Sequence, residues 1–197
     1  MKRIAVLVSG GGTNLQALID AQSTTLVSGQ IALVVSNNAD AYALERAKKA
    51  NIATAVVLKK QCGSQAAFEE KLKEVLTEHG IDIIILAGFM TILTENFTSC
   101  YPKRILNVHP SLIPSFCGEG FYGLRVHQAA LDYGVKVTGA TVHFVNEIPD
   151  GGEIIAQKAV EIQPGDTPEI LQRRVMEQAE WILLPQAAEM VCASMEE

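Results

Sequence analysis

Three separated side chains are of the types that acyl transfer needs: an amide, an imidazole and a carboxylate. Asn107 and His109 stand two residues apart in "ILNVHPSLIPSF", where an apolar run ends and Pro110 and Pro114 follow. Residues two apart on a strand share a face, so both side chains can address one substrate atom. Two donors converging on a carbonyl oxygen stabilise the negative charge that develops there. The prolines would stiffen the loop that follows. Asp150, in "IPDGGE", would hold His109 protonated and accept a proton from an attacking amine. Each feature also has a plain structural reading: Asn-x-His as a strand end with a satisfied histidine, Pro-Asp-Gly-Gly as a turn. Local rules do not choose between them.

A second chemistry lies in "SGGGTNLQ", after the first apolar run. A glycine loop between a strand and a helix gathers backbone N–H groups on an anion. Gly10, Gly11 and Gly12 allow close approach, and Thr13 and Asn14 add polar side chains. No Lys-Ser/Thr follows, so this is not a P-loop. Leu15 stands where the third glycine of a dinucleotide fingerprint belongs, and the second strand ends in "SNN" without an acidic ribose partner. A phosphomonoester fits better than a dinucleotide, and a ligand-free tight turn is the alternative.

The elements that must position these residues follow from periodicity. Short β-branched runs predict strands over 3–9, 31–36, 53–58, 81–88 and 104–109. Helical spacing predicts helices over 13–22, 39–50 and 64–80, with Asp40 and Ser64 as caps and Gly80 as a stop. Alternating strands and helices predict an α/β fold: an open, mostly parallel twisted sheet with helices on both faces. Beyond Pro114 the pattern changes. A helix is expected over 124–134, then strands over 135–146 and 153–162 joined as a C-terminal antiparallel hairpin. A long helix over 167–191 is capped by Thr167, with Pro185 kinking or breaking it. With no linker or repeat, the whole of 1–197 reads as one domain.

Composition narrows the partners. Net charge is −6, and no basic run interleaves with aromatics, so no nucleic-acid partner is expected. The N-terminal apolar run is too short for a signal peptide and no window would span a membrane. Cys62, Cys100, Cys117 and Cys192 are scattered, which suits free thiols in a cytoplasmic protein. No histidine pair has metal-ligand spacing, so no metal is expected. His143 shares a strand face with Thr141 and could support the site, although a core histidine is the simpler reading; His127 reads as structural and His79 as exposed.

Taken together, "VLVSGGGTNLQALID", "SNNADAYALERAKKANI", "ILAGFMTIL", "NVHPSLIPSF", "GATVHFVNEIPDGGEIIAQ" and "GDTPEILQRRV" resemble the phosphoribosylglycinamide formyltransferase family, within the folate formyltransferase superfamily, over essentially the whole chain. The resemblance implies a Rossmann-like fold and formyl transfer from 10-formyltetrahydrofolate to the amine of a glycinamide ribonucleotide in purine biosynthesis. It implies small-molecule substrates, no metal, and a monomer or homodimer. The N-terminal half would hold the ribonucleotide and the C-terminal half the folate and the catalytic groups. Gly12, Thr13 and Asn14 would hold the phosphate and Glu180 the ribose. Met90, Thr91, Ile92 and Leu93 would line the folate pocket, with Phe144, Asn146 and Glu147 near the pterin, Gln65 near the folate tail, and Asn107 on the formyl group. Asn107, His109 and Asp150 would be catalytic, Asp150 raising the pKa of His109.

Methionyl-tRNA formyltransferases carry a C-terminal tRNA-binding domain, and formyltetrahydrofolate hydrolases an N-terminal regulatory domain, so both are less favoured expectations. The rivals kept open are a 10-formyltetrahydrofolate hydrolase and a non-catalytic phosphometabolite-binding module. Thr91 and Gln65 stand where the family often has cations along the folate tail. Trp181 and Leu184 replace a more usual His and Tyr. The "CGEGFYGLR" loop is longer than in the shortest members, and is expected to be mobile without ligand.

Overall fold

A computed structural model describes residues 1–195. Its centre is a seven-stranded sheet: β1 (Lys2–Val8), β2 (Gly29–Ser36), β3 (Ala53–Val56), β4 (Ile83–Leu86), β5 (Ile105–His109), β6 (Val137–Phe144) and β7 (Ile154–Glu161), in the order β3-β2-β1-β4-β5-β6-β7. The first five strands are parallel, and β6 and β7 are antiparallel to their neighbours. The predicted α/β sheet and its C-terminal hairpin are therefore present. The antiparallel pairing of β5 with β6 was not foreseen, and it sets Asn107 opposite His143 and His109 opposite Thr141.

The pleat sorts each strand between two cores. Ile4, Val6 and Val8 face one way with Ile83 and Ile85, against the helices α1 (Thr13–Ala21), α2 (Tyr42–Lys49), α7 (Pro168–Val175) and α8 (Trp181–Ser194). Ala5 and Leu7 face the other way with Ile84 and Leu86, against α4 (Gln65–Glu78) and the short α5 (Glu95–Thr98). All four residues of β4 are buried, as expected of a strand covered on both faces. Two further helices are the single turn α3 (Lys59–Cys62) and α6 (Leu124–Tyr133). In β5, Leu106 and Val108 join the first core and Ile105 the second. Asn107 and His109 thus project from the α4 side of the sheet.

Helix ends depart from expectation in three places. Ser64 and Thr167 cap α4 and α7 as predicted, accepting from the N–H groups of Ala67 and Ile170. Asp40 does not cap α2: the cap position is Ala41, without a side-chain bond, because the chain turns earlier through Asp40 N–H to Asn38 Oδ1. Pro185 does not break the terminal helix, since α8 runs through it. The irregularity lies upstream, where Met176–Glu180 forms a π-turn between α7 and α8. One extra residue per turn shifts the side-chain register there, and Glu180 ends up buried.

Candidate active site

The strand order reverses at β1, with β2 on one side and β4 on the other. Ligands of open α/β sheets bind beyond the carboxyl ends at such a point. The loops leaving β1 and β4 meet there: Met90 N–H donates to Ser9 Oγ at 2.9 Å.

In the glycine loop, Gly12 has φ 72° and starts α1. A Cβ there would lie 2.6 Å from Ala43 Cβ and 2.9 Å from its Cα. Gly12 is therefore required for packing against α2 as well as for any ligand. Gly10 and Gly11 face open space: a Cβ added at either would meet nothing within 4 Å. Arg46, which sequence reasoning did not single out, reaches in from α2 and donates from Nε to the Gly11 carbonyl at 2.8 Å and from Nη1 to Gln16 Oε1 at 3.0 Å. A cleft of about 410 Å³ opens beside it, lined by Thr13, Gln16, Arg46 and Trp181 among others.

Asn14 and Glu180 were expected on phosphate and ribose, and the structure brings them together. Asn14 Nδ2 donates to Glu180 Oε2 at 2.8 Å. Burial pushes the Glu180 carboxyl above its ordinary pKa, against the pull of the Asn14 bond. The Asn14 side-chain oxygen is buried with no partner among the described residues. Leu184 is fully buried in the core and does not reach this site.

The amide, imidazole and carboxylate converge as expected, joined by a fourth group. His109 Nδ1 lies 3.4 Å from Asp150 Oδ2, and His143 Nε2 lies 3.6 Å from Asp150 Oδ1. His143 Nδ1 lies 2.8 Å from the Phe144 carbonyl oxygen, and Nε2 lies 3.2 Å from the Asn107 amide nitrogen. Asn107 thus keeps a second N–H for a substrate. The loop after β5 returns to the site: the Phe116 carbonyl accepts from His109 Nε2 at 2.8 Å, and Gly118 N–H donates to Asp150 Oδ2 at 2.8 Å. Pro110 and Pro114 are not alone in stiffening it. Thr141 Oγ1 donates to the Ser111 carbonyl and accepts from Ile113 N–H, tying the loop to β6.

The expected rise in the His109 pKa is reversed. Burial of the ring outweighs the pull of Asp150 and the Phe116 carbonyl, and His109 titrates below its ordinary 6.5. Asp150 itself acts in the expected direction, raising it. Burial pushes the Asp150 carboxyl up, but the His143 contact, the His109 charge and Gly118 N–H together hold it below the ordinary range.

A cavity of about 130 Å³ opens beside these groups. Met90, Thr91, Ile92 and Leu93 wall one side, Asn146, Glu147 and Asp150 the other, with Asn107 and His143 between. Both halves of the chain contribute. Two residues expected near the folate lie outside it. Phe144 lines a neighbouring cleft beneath Lys103, and Gln65 braces the rim, donating to the Ile92 carbonyl at 3.1 Å. Among the described residues, no three His, Cys, Asp or Glu side chains gather as a metal site, and no helix is long and apolar enough to cross a membrane.

Comparison with known proteins agrees with this fold. The family model described as formyl transferase matches residues 2–187. The chain belongs to the formyl transferase family. It is 46% identical over 178 residues to the phosphoribosylglycinamide formyltransferase of Haemophilus influenzae, covering 90% of this chain and 82% of that protein. Among solved structures it superposes on glycinamide ribonucleotide transformylase 1 from Symbiobacterium toebii with a TM-score of 0.91 and 42% identity, covering 98% of this chain and 88% of that one. The phosphoribosylglycinamide formyltransferase of Brucella melitensis gives 0.88 and 43%, covering 100% and 98%. Within the formyl transferase family, the two solved structures share the present fold.

Proposed function

We propose that this chain transfers the formyl group of 10-formyltetrahydrofolate to the amine of 5-phosphoribosylglycinamide, a step of purine biosynthesis. The observation that carries the reading is the meeting of Asn107, His109, His143 and Asp150, with Asn107, His143 and Asp150 lining the cavity that Met90–Leu93 also wall. The relatives' names support the same reaction. In this reading the glycine loop and Asn14 hold the ribonucleotide phosphate and Glu180 its ribose. The folded-over loop 145–150 and the 90–93 rim hold the folate.

The amine attacks the formyl carbon and charge develops on the formyl oxygen. Asn107 meets that charge with the N–H not given to His143. Asp150, held anionic, takes the proton that the amine loses. His109 Nδ1, facing the same carboxylate, receives or returns that proton, and a pKa held below 6.5 makes it a readier donor to the departing folate nitrogen. Neither a metal nor a covalent enzyme intermediate enters the scheme. The reading also puts the chain in the cytoplasm, supported by four free thiols.

The test supplies the formyl donor with and without the ribonucleotide and follows tetrahydrofolate release. Release only with the ribonucleotide is the expected result. Release without it would mean hydrolysis, and no release in either case would leave only a binding protein.

A further inference from the structure

The glycine loop, Gly10 to Asn14, contains no lysine or arginine, and the chain as a whole has a net charge of −6. A phosphate held there depends on backbone N–H groups. Such groups bind an anion only when they point at one place. What aims them is therefore part of the recognition.

In a planar trans peptide the C=O and the following N–H point in opposite directions. Fixing a carbonyl therefore aims the next residue's N–H. In the glycine loop both relevant carbonyls are held by α2. The Gly10 carbonyl accepts from Ala43 N–H at 3.0 Å, one of the donors that the first turn of α2 leaves without an intrahelical partner. The Gly11 carbonyl accepts from Arg46 Nε at 2.8 Å. The N–H groups of Gly11 and Gly12 are thereby turned away from α2, and neither donates to another described residue. They lead directly into the start of α1 at Thr13 and Asn14, whose N–H groups also favour an anion.

Arg46 is itself held in place. Its Nη1 donates to Gln16 Oε1 at 3.0 Å, and Gln16 Nε2 donates onward to Asp20 Oδ1 at 2.9 Å. The guanidinium lies 5.1 Å from the centre of the Tyr42 ring. It forms no ion pair among the described residues. A guanidinium with no carboxylate partner is thus fixed by three neutral groups, and one of them is the carbonyl that sets the Gly12 N–H.

We infer that Arg46 is a positioning residue for the phosphomonoester: by gripping the Gly11 carbonyl it aims the Gly12 N–H at the phosphate. The inference rests on the proposed function, since it takes the glycine loop as the phosphate site.

The test titrates the full chain with 5-phosphoribosylglycinamide by calorimetry, with inorganic phosphate as competitor, in the wild type, Arg46→Met and Arg46→Gln. Methionine keeps the aliphatic length and donates nothing. Glutamine carries an uncharged N–H on the atom that corresponds to arginine Nε, so it separates aim from charge. Arg46→Met should weaken both the ribonucleotide and inorganic phosphate at least about tenfold, while tetrahydrofolate affinity stays as in the wild type. Arg46→Gln should come back to within about threefold of the wild type for both. Arg46 is only partly buried, and circular dichroism will confirm that both variants are folded. Glutamine as weak as methionine would assign the effect to charge and overturn the aiming role. Wild-type affinity in Arg46→Met, a loss for the ribonucleotide without one for inorganic phosphate, or an equal loss for tetrahydrofolate would each overturn it too. Formyl transfer by the wild-type protein reports on the reaction separately. No transfer with the expected order of phosphate affinities overturns the reaction and keeps the role of Arg46. Intact transfer without that order does the reverse, and a wild type that binds neither ribonucleotide nor phosphate overturns both.

Discussion

Asp150 has φ 55°, a left-handed backbone that Asp and Asn accept more readily than other side chains with a Cβ. The turn is what swings its carboxylate under His109 and His143, so the turn and the catalytic readings of "PDGG" describe one structure. Asp150→Asn keeps both the backbone preference and an acceptor for Gly118 N–H, and removes only the charge. We expect a folded enzyme with unchanged ribonucleotide affinity and turnover lowered at least tenfold, about 1.4 kcal/mol of barrier. Steady-state kinetics beside calorimetry will check both halves. The glycine loop offers a second test. Gly12→Val would collide with α2 and lose stability, so it cannot separate binding from folding. Gly11→Val meets open space, and should leave thermal unfolding unchanged while weakening ribonucleotide binding about tenfold or more. Asn107, His109 and Asp150 were legible as candidates because their types suit acyl transfer, while the local pattern alone left each with an equally plain structural reading. The role of His143 was not, because only the β5–β6 register puts it against Asn107. Arg46 was missed because its target is a backbone carbonyl, which leaves no pattern in the sequence.

Two elements hold the site in ways no sequence period announces. The loop from Cys117 to Arg125 was expected to be mobile without ligand. Its start, at Phe116 and Gly118, instead occupies His109 and Asp150 through the carbonyl and N–H described above, while Gly118, Gly120 and Gly123 all have positive φ. Hydrogen exchange should therefore find Gly118 N–H protected without ligand and the stretch 119–123 fast, with 119–123 slowing when donor and acceptor analogues bind together. Equal rates across 118–123 in both states would sink this division. The π-turn at Met176–Glu180 is the second element. It brings Glu180 to Asn14, 166 residues away in the chain. Glu180→Ala leaves the buried Asn14 amide without its acceptor and should cost about 1–3 kcal/mol in denaturant unfolding. Glu180→Gln, which retains an acceptor oxygen, should recover most of that. Capping residues and strands could be read from local chemistry. The π-turn could not, because it answers to burial of one carboxyl against a distant helix start.

At the scale of the molecule, His127 couples stability to acid. It is fully buried on α6 with neither ring nitrogen hydrogen-bonded among the described residues. Burial, helped by the charge of His109, lowers its pKa from 6.5 to about 4. As pH falls, the unfolded chain therefore takes the proton first. Stability from this group is complete above about 6.5 and is lost progressively down to about 4, at a cost on the order of 3 kcal/mol. His127→Leu should flatten that decline, as read by denaturant midpoints at pH 7.5 and pH 4.5. The overall sheet was legible because its parallel strands are continuous apolar runs. The sorting of its faces was legible only up to register.

That sorting limits where the chain can change length. Leu106 and Val108 point into one core while Asn107 and His109 lie on the opposite face, toward His143 and Asp150, so β5 spells its structural and its chemical message in alternate letters. One inserted residue would exchange the two, setting an amide and an imidazole among aliphatics and turning leucine and valine outward. The loop through Gly118, Gly120 and Gly123 has no such frame to keep. A library of single-residue insertions selected for growth on purine-free medium should yield survivors within 119–123 and none within 105–109 or 140–143. In this fold, the reading frame of a strand is inherited together with its chemistry, and evolution is left to lengthen only the loops.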